Sequence, residues 1–274
     1  MSGPETLAAQ PTENTLPLPG SYRLLQRGEN VIRHNNSDIL DEYTPDGIYG
    51  PSVLDFLGVK EGDVKGQLLA LAAASKAELD KTATSSTEEG FSIVPHSYQI
   101  GFDQKGNNAL VMTSQKVEPA EATNAQRLSY LPSILAYHSA AFTDFLAIID
   151  TGAENRPFHT DVVKPSQYMF GSINQAPAEL YMVDIDPEIT TVANPDGSGG
   201  MFLSPHFIQS VIDMATMANL YQKDVSETFV VGLNQLIDTM VDEGVLSEGQ
   251  HRMLLAAQKD GSNPSNDGQI FNLT

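Results

Sequence analysis

The chain reads as an α+β protein: a mixed body with antiparallel hairpins and a central helix, followed by a three-helix C-terminal part. Three observations predict that class. Apolar residues recur at steps of three and four between 125 and 150, the period of a buried helix face. Before and after that segment, short runs rich in β-branched and aromatic residues alternate with Gly, Pro, Asn and Asp turns. From 204 onwards, successive segments carry helix starts, stripes and stops. The chain divides into an extended arm over 1–21, a mixed body over 22–200, and a helical part with an irregular tail over 201–274.

In the arm, Pro4, Pro11, Pro17 and Pro19 forbid a helix and leave little to bury. From about 22 to 62 the pattern is irregular, with short apolar pieces around turns such as "TPDGIYGP". Ala, Leu and Lys dominate 63–81, which predicts a helix. "FSIVPHSYQIGFD" and "ALVMTSQKV" flank the polar turn "QKGNN" and predict a hairpin over about 91–117, with Pro95 demoting its first strand to an edge or bulge. In the central helix the stripe is Leu128, Leu131, Leu135, His138, Phe142, Phe145 and Ile149, and Pro132 places a clean start near Ser133. His138, set among Leu and Phe, reads as a hydrogen-bonded core imidazole. "NRPFHTDVV", "QYMFGSI" and "AELYMVDIDPEITTVA" then read as strands and loops, and "NPDGSGG" over 194–200 as a long turn. The first C-terminal helix starts at Ser204 as N-cap with Pro205 behind it, and Phe207, Val211, Met214, Ala218 and Tyr221 mark its face. A second follows Ser226, with Phe229, Leu233, Leu236 and Met240 on its stripe and Gly244 as its stop. A third, over about 248–259, follows the capping box Ser247 to Gln250.

Composition narrows the function classes. The net charge of −20 arises from 35 acidic residues against only 15 Lys and Arg. A field of that sign repels phosphate backbones and anionic lipid, so neither nucleic-acid nor membrane partners are expected. No apolar run is expected to approach a membrane span, since Asp144 and Asp150 interrupt "FTDFLAIID". The first residues lack the basic and apolar regions of a secretory signal, so export by that route is not expected. The absence of Cys removes thiolate chemistry and disulfides. A chain without Cys or Trp and poor in Lys suits virus particles and extracellular assemblies slightly better than the cytoplasm.

The sharpest chemical motif is His159-x-Asp161. On a strand, that spacing aims both side chains to one side and supplies two of the three ligands of a non-haem Fe(II) site, with His206 or His251 available as the third. "HTD" resembles the corresponding stretch of 2-oxoglutarate oxygenases, which implies Fe(II) at His159, Asp161 and a distal His. In that family the second His sits on a later strand, followed by an Arg. Here His206 falls at the second position of a predicted helix, and Arg252 is the only later Arg. Six His and 35 acids yield about 0.8 such pairs by chance, so the spacing weighs little. The plainer reading makes His159 and Asp161 a hydrogen-bonded pair at a strand end.

"TPDGIYGPSVLDFL", 44–57, is similar to the D-G-(I/V)-(F/Y)-G-P turn of small peptidoglycan-binding modules, which implies recognition of cell-wall glycan; Val53 and "FLGV" depart from that pattern, and the plainer reading is two turns. The loops from Asn194 and Asn263 approach a calcium loop, but Pro205 and Thr274 stand where a bidentate Glu is needed, leaving weak calcium binding at most. Asp184, Asp186 and Glu188 alternate along "YMVDIDPEI" and are expected on one solvated face of a strand. Nucleophile-elbow, P-loop, dinucleotide and H-E-x-x-H signatures are missing. The expectation is therefore a non-enzymatic structural or assembly subunit, a virus-particle (phage) or extracellular component that meets other protein subunits through its arm and needs no cofactor. The enzyme alternative is the Fe(II) oxygenase; the binding alternative is the glycan module.

Overall fold

A computed structural model describes residues 22–27, 30–36, 40, 57–60, 62–84, 90–102, 106–195, 201–246 and 248–260. The arm over 1–21, the 44–57 turn apart from Leu57, residues 196–200, Ser247 of the capping box and the 261–274 tail lie outside the described residues.

The first helix, α1 (Val64–Thr84), begins where Asp63 Oδ1 accepts the Gly66 N–H at 3.0 Å. Leu68, Leu71, Ala72, Ser75, Leu79 and Thr82 follow at helical spacing and are buried. A single turn, α2 (Asn124–Arg127), is closed by a full capping box between Thr123 and Gln126. The central helix α3 (Leu131–Thr151) starts two residues before Ser133, because Pro132 falls in the first turn, where a missing N–H costs nothing. It stops at Gly152, whose φ of +69° favours a residue without a Cβ and whose N–H returns to Ile148 O at 2.9 Å. Its stripe is buried through Phe145. The last position is corrected: Ile149 is 48% exposed and Ile148 is buried instead. The membrane expectation is also corrected, since Asn124–Thr151 is long and apolar enough to meet the length and composition of a span at a mean hydropathy of 1.2. Half of that window is buried inside the protein, and its apolar side chains form core.

The strands form two four-stranded sheets, the first packed against α1. The first runs β1 (Tyr22–Arg27), β2 (Asn30–Asn36), β5 (Asn108–Gln115), β4 (His96–Phe102), antiparallel throughout. Its β4–β5 hairpin is the predicted one, and β4 is an edge strand, as Pro95 requires. The β1–β2 hairpin overturns the irregular reading over 22–36. The second sheet runs β3 (Ser92–Ile93), β9 (Glu179–Met182), β8 (Tyr168–Ser172), β6 (Glu118–Pro119). Pro95 splits one extended segment between the two sheets: β3 pairs in parallel with β9, whereas β4 joins β5. Two small pairs complete the strands, β7 (Pro157–His159) with β10 (Ile189–Thr191) and β11 (Ala193–Pro195) with β12 (Met201–Leu203).

The last helices are α4 (Pro205–Leu220), α5 (Glu227–Asp242) and α6 (Glu248–Asp260). Ser204 occupies the N-cap of α4, but its side chain makes no capping bond; Ser226 does cap α5, accepting the Phe229 N–H at 3.2 Å. Gly244, at φ +67°, follows α5 as expected. Leu68 of α1, Leu110 of β5, Phe145 of α3, Phe158 of β7, Phe207 of α4, Phe229 of α5 and Leu254 of α6 belong to one contiguous buried cluster.

Candidate functional site

The H-x-D motif does not form as strand alternation requires. β7 ends at His159, Thr160 donates to Glu188 O at 3.1 Å, and Asp161–Val163 turns into a 3-10 helix, so Asp161 leaves the backbone on a turn. The two side chains then take separate partners, and the hydrogen-bonded pair expected at a strand end is replaced by two distinct sites. Asp161 accepts from Gln167 Nε2 at 2.8 Å and pairs with Lys164. His159 sits with Nε2 3.3 Å from Asp186 O and its backbone N–H 2.9 Å from Tyr137 Oη, while Nδ1 is buried with no partner among the described residues. Burial pulls the His159 pKa down to about 4 against the raising effect of the Asp186 carbonyl, Asp161 and Asp184, so the ring is neutral at physiological pH.

His206 is the second residue of α4. Ser210 Oγ lies 3.0 Å from His206 O and 3.1 Å from Thr160 O, which docks the first turn of α4 beside the H-x-D segment through backbone contacts. His251 is carried on α6. Among the described residues, no group of three or more His, Asp and Glu is arranged to hold a metal ion.

Asp184, Asp186 and Glu188 were expected on a strand; they lie instead in an irregular segment that follows β9. The Gln167 carbonyl takes the Val183 and Asp184 N–H groups at 2.8 and 3.4 Å, which draws the chain off the ladder, and Pro187 has no N–H to rejoin it. Three contacts fix the segment: Ile185 is buried, Tyr98 Oη donates to Ile185 O at 2.8 Å, and Ser75 Oγ reaches Asp186 O at 3.4 Å. This brings Glu188 close to Asp161. Burial, then the Asp161 charge, hold Glu188 protonated well above the usual carboxylate range. Burial alone would lower the Lys164 pKa, but the neighbouring Asp161 carboxylate outweighs it and the net shift is upward. Glu188, Asp161, Lys164 and Gln167 therefore form one polar cluster centred on Asp161.

A second polar network connects to it from inside. Glu78 of α1 is 3% exposed, pairs with Lys81, and accepts from Tyr137 Oη at 3.0 Å; the same Tyr137 oxygen accepts the His159 N–H. Composition and motif spacing missed Glu78 and Tyr137. The signal was a carboxylate one turn after Ser75 on the apolar stripe of α1. His138, one residue on, matches its expected role: Nδ1 is 2.8 Å from Ile134 O, and the ring packs against Phe158 and Phe207 at centroid distances of 5.0 and 5.3 Å. Its Nε2 is buried without a partner among the described residues, and burial lowers its pKa to about 4.

The chain matches no protein-family model, and neither curated proteins nor solved structures show a similar one.

Proposed function

We propose that this chain is a non-enzymatic structural subunit of an oligomeric assembly, held to neighbouring protein subunits by its own surface strands. The observation that carries the reading is strand β4. It is an outer strand of the first sheet, and its sequence, "HSYQIGF", has no Lys, Arg, Asp or Glu in a chain of net charge −20. Sheet edges are normally guarded by charge, proline or a bulge, because their unpaired N–H and C=O groups accept another strand. On β4, Tyr98 and Ile100 pack toward the core, and Phe102, the next residue of that row, runs past it and is 70% exposed. An outer strand without charged residues that ends in an exposed aromatic ring suits strand addition by a partner.

The interior supports the same reading. His138, His159 and Glu78 are each at most 3% exposed and engaged with the protein's own groups. A Pro-rich segment over 1–21 and a Lys-poor, Cys-free composition suit a virus particle or an extracellular assembly as the setting.

Sedimentation equilibrium from about 1 μM to about 1 mM tests the proposal. The wild type is expected to self-associate or to bind its partner subunit, and Phe102→Glu, which puts a charge on the edge, to remain monomeric with an unchanged thermal midpoint. A wild type that stays monomeric across that range and binds no other structural subunit of its source would refute it.

A further inference from the structure

The outer strand β4 is complementary to a copy of itself, an inference that rests on the assembly reading above. Among the described residues, β4 is the last strand on one side of its sheet and β1 the last on the other. β1 carries Arg23 and Arg27, whereas β4 and its neighbour β5, "HSYQIGF" and "NALVMTSQ", hold no Lys, Arg, Asp or Glu. Two chains of net charge −20 repel, and their contact costs least where neither brings charge. The segment over 1–21 suits this edge less well. Pro4, Pro11, Pro17 and Pro19 cut it into runs shorter than the seven residues of β4, and Glu5 and Glu13 lie in the two longest of them.

The ladder to β5 fixes the phase of the pairing. The Gln115 N–H donates to Pro95 O at 2.9 Å, in step with His96 opposite Ser114 and Ser97 opposite Thr113. Along an antiparallel strand, successive residues turn their backbone groups alternately toward and away from the neighbour. Ser97, Gln99 and Gly101 therefore turn theirs to β5, while His96, Ile100 and Phe102 turn theirs to the outer side. A second β4 running antiparallel meets that phase over its full length when Gln99 stands opposite Gln99, Tyr98 opposite Ile100 and Phe102 opposite His96. Phe102, 70% exposed in one copy, then lies over the partner's His96, a ring that meets Tyr98 edge-on at 5.1 Å. An arrangement in which each strand gives and receives the same contacts closes as a dimer.

We propose that two copies of this chain join β4 to β4 about a two-fold axis at Gln99, continuing the first sheet from one copy into the other. Because the chain has no Cys, a single introduced thiol reports its own contacts. Gln99 and Ser97 are both exposed on one face of the strand. In this pairing the two Gln99 positions face each other at about 4.5 Å between Cα atoms, within disulfide reach, whereas the two Ser97 positions lie about 14 Å apart, beyond it. At about 1 mM under mild oxidation, Gln99→Cys is expected to form covalent dimer about tenfold faster or more than Ser97→Cys, or than Thr228→Cys on the exposed start of α5. In the wild type, amide exchange at His96, Ile100 and Phe102 is expected to slow about tenfold or more between about 10 μM and about 1 mM. Equal cross-linking in the three variants, or exchange at those amides that ignores concentration, would overturn the pairing. The assembly reading survives such a result if the wild type still self-associates or binds another structural subunit; a wild type that does neither ends both. The exchange measurement uses only wild-type protein and stands whatever a variant does to folding.

Discussion

Replacing His138 by Leu isolates one buried proton. The imidazole is fully buried, its Nδ1 is committed to Ile134 O, and Nε2 faces Phe158 and Phe207 surroundings with no acceptor among the described residues. Charging the ring would place an unpaired N–H cation among aromatic rings, which is why its pKa lies at about 4 against an ordinary 6.5. A lowered pKa for a base means that the folded state refuses a proton the unfolded chain accepts. Stability is thus fully present above about pH 6.5 and is lost as pH falls toward 4. At pH 5 an ordinary unfolded histidine is almost wholly protonated, while the folded one is about one-tenth protonated, a difference of about 2 kcal/mol; at pH 7.5 it is close to zero. Leu fills a similar volume and cannot titrate, so His138→Leu is expected within about 1 kcal/mol of the wild type at pH 7.5 and more stable than that by about 2 kcal/mol at pH 5. Urea unfolding followed by far-UV circular dichroism at the two pH values measures both gaps. If the gap is the same at pH 5 and pH 7.5, the ring is reached by water or by a hidden acceptor, and the burial argument is wrong.

The carboxyl pair has the opposite sign. A raised Glu188 pKa makes its contribution complete below the ordinary carboxylate value of 4.5 and erodes it as pH rises, so Glu188→Gln, which keeps a donor to Asp161, should gain stability over the wild type steadily from pH 5 to pH 8 in urea melts; parallel curves would show that the pair does not hold its proton. Tyr137→Phe removes a hydroxyl that serves Glu78 Oε2 and the His159 N–H together, leaves Glu78 held by Lys81 alone and the His159 N–H without its acceptor, and should lower unfolding free energy by about 1–3 kcal/mol in the same assay, with a loss under about 0.5 kcal/mol counting against the network.

The helices were the legible part of this chain because a helix advertises itself locally. Phe142 and Phe145, Phe207 and Val211, and Phe229 and Leu233 lie in the core where their periodicity puts them. Gly28-Glu29 between the β1 and β2 runs is a two-residue turn signal, but the adjacent apolar pairs Leu24-Leu25 and Val31-Ile32 break the alternation that marks a strand. "YMVDIDPEI" alternates well enough for a strand, yet a single carbonyl, Gln167 O, takes the N–H groups of Val183 and Asp184 and ends it. Such a bond is long-range in space and invisible in spacing. The same holds for His159 and Asp161. Their separation along the chain suggested a shared face, and the turn beginning between them assigns one to a buried carbonyl and the other to an exposed ammonium.

Pro95 has a consequence for cooperativity. The hairpins β4–β5 and β8–β9 each close over a short stretch of chain, but the parallel pair β3–β9 joins Ser92 to Tyr181 across about 90 residues. Closing a loop of that length costs about 4 kcal/mol in chain entropy beyond a fixed term, more than a ladder two residues long returns. The tie can hold only while Phe91 and Val94, on either side of it, are clamped in the core. Because β3 and β4 are consecutive across one proline, loosening either sheet slackens the other, and the small strand makes two separate ladders melt as one.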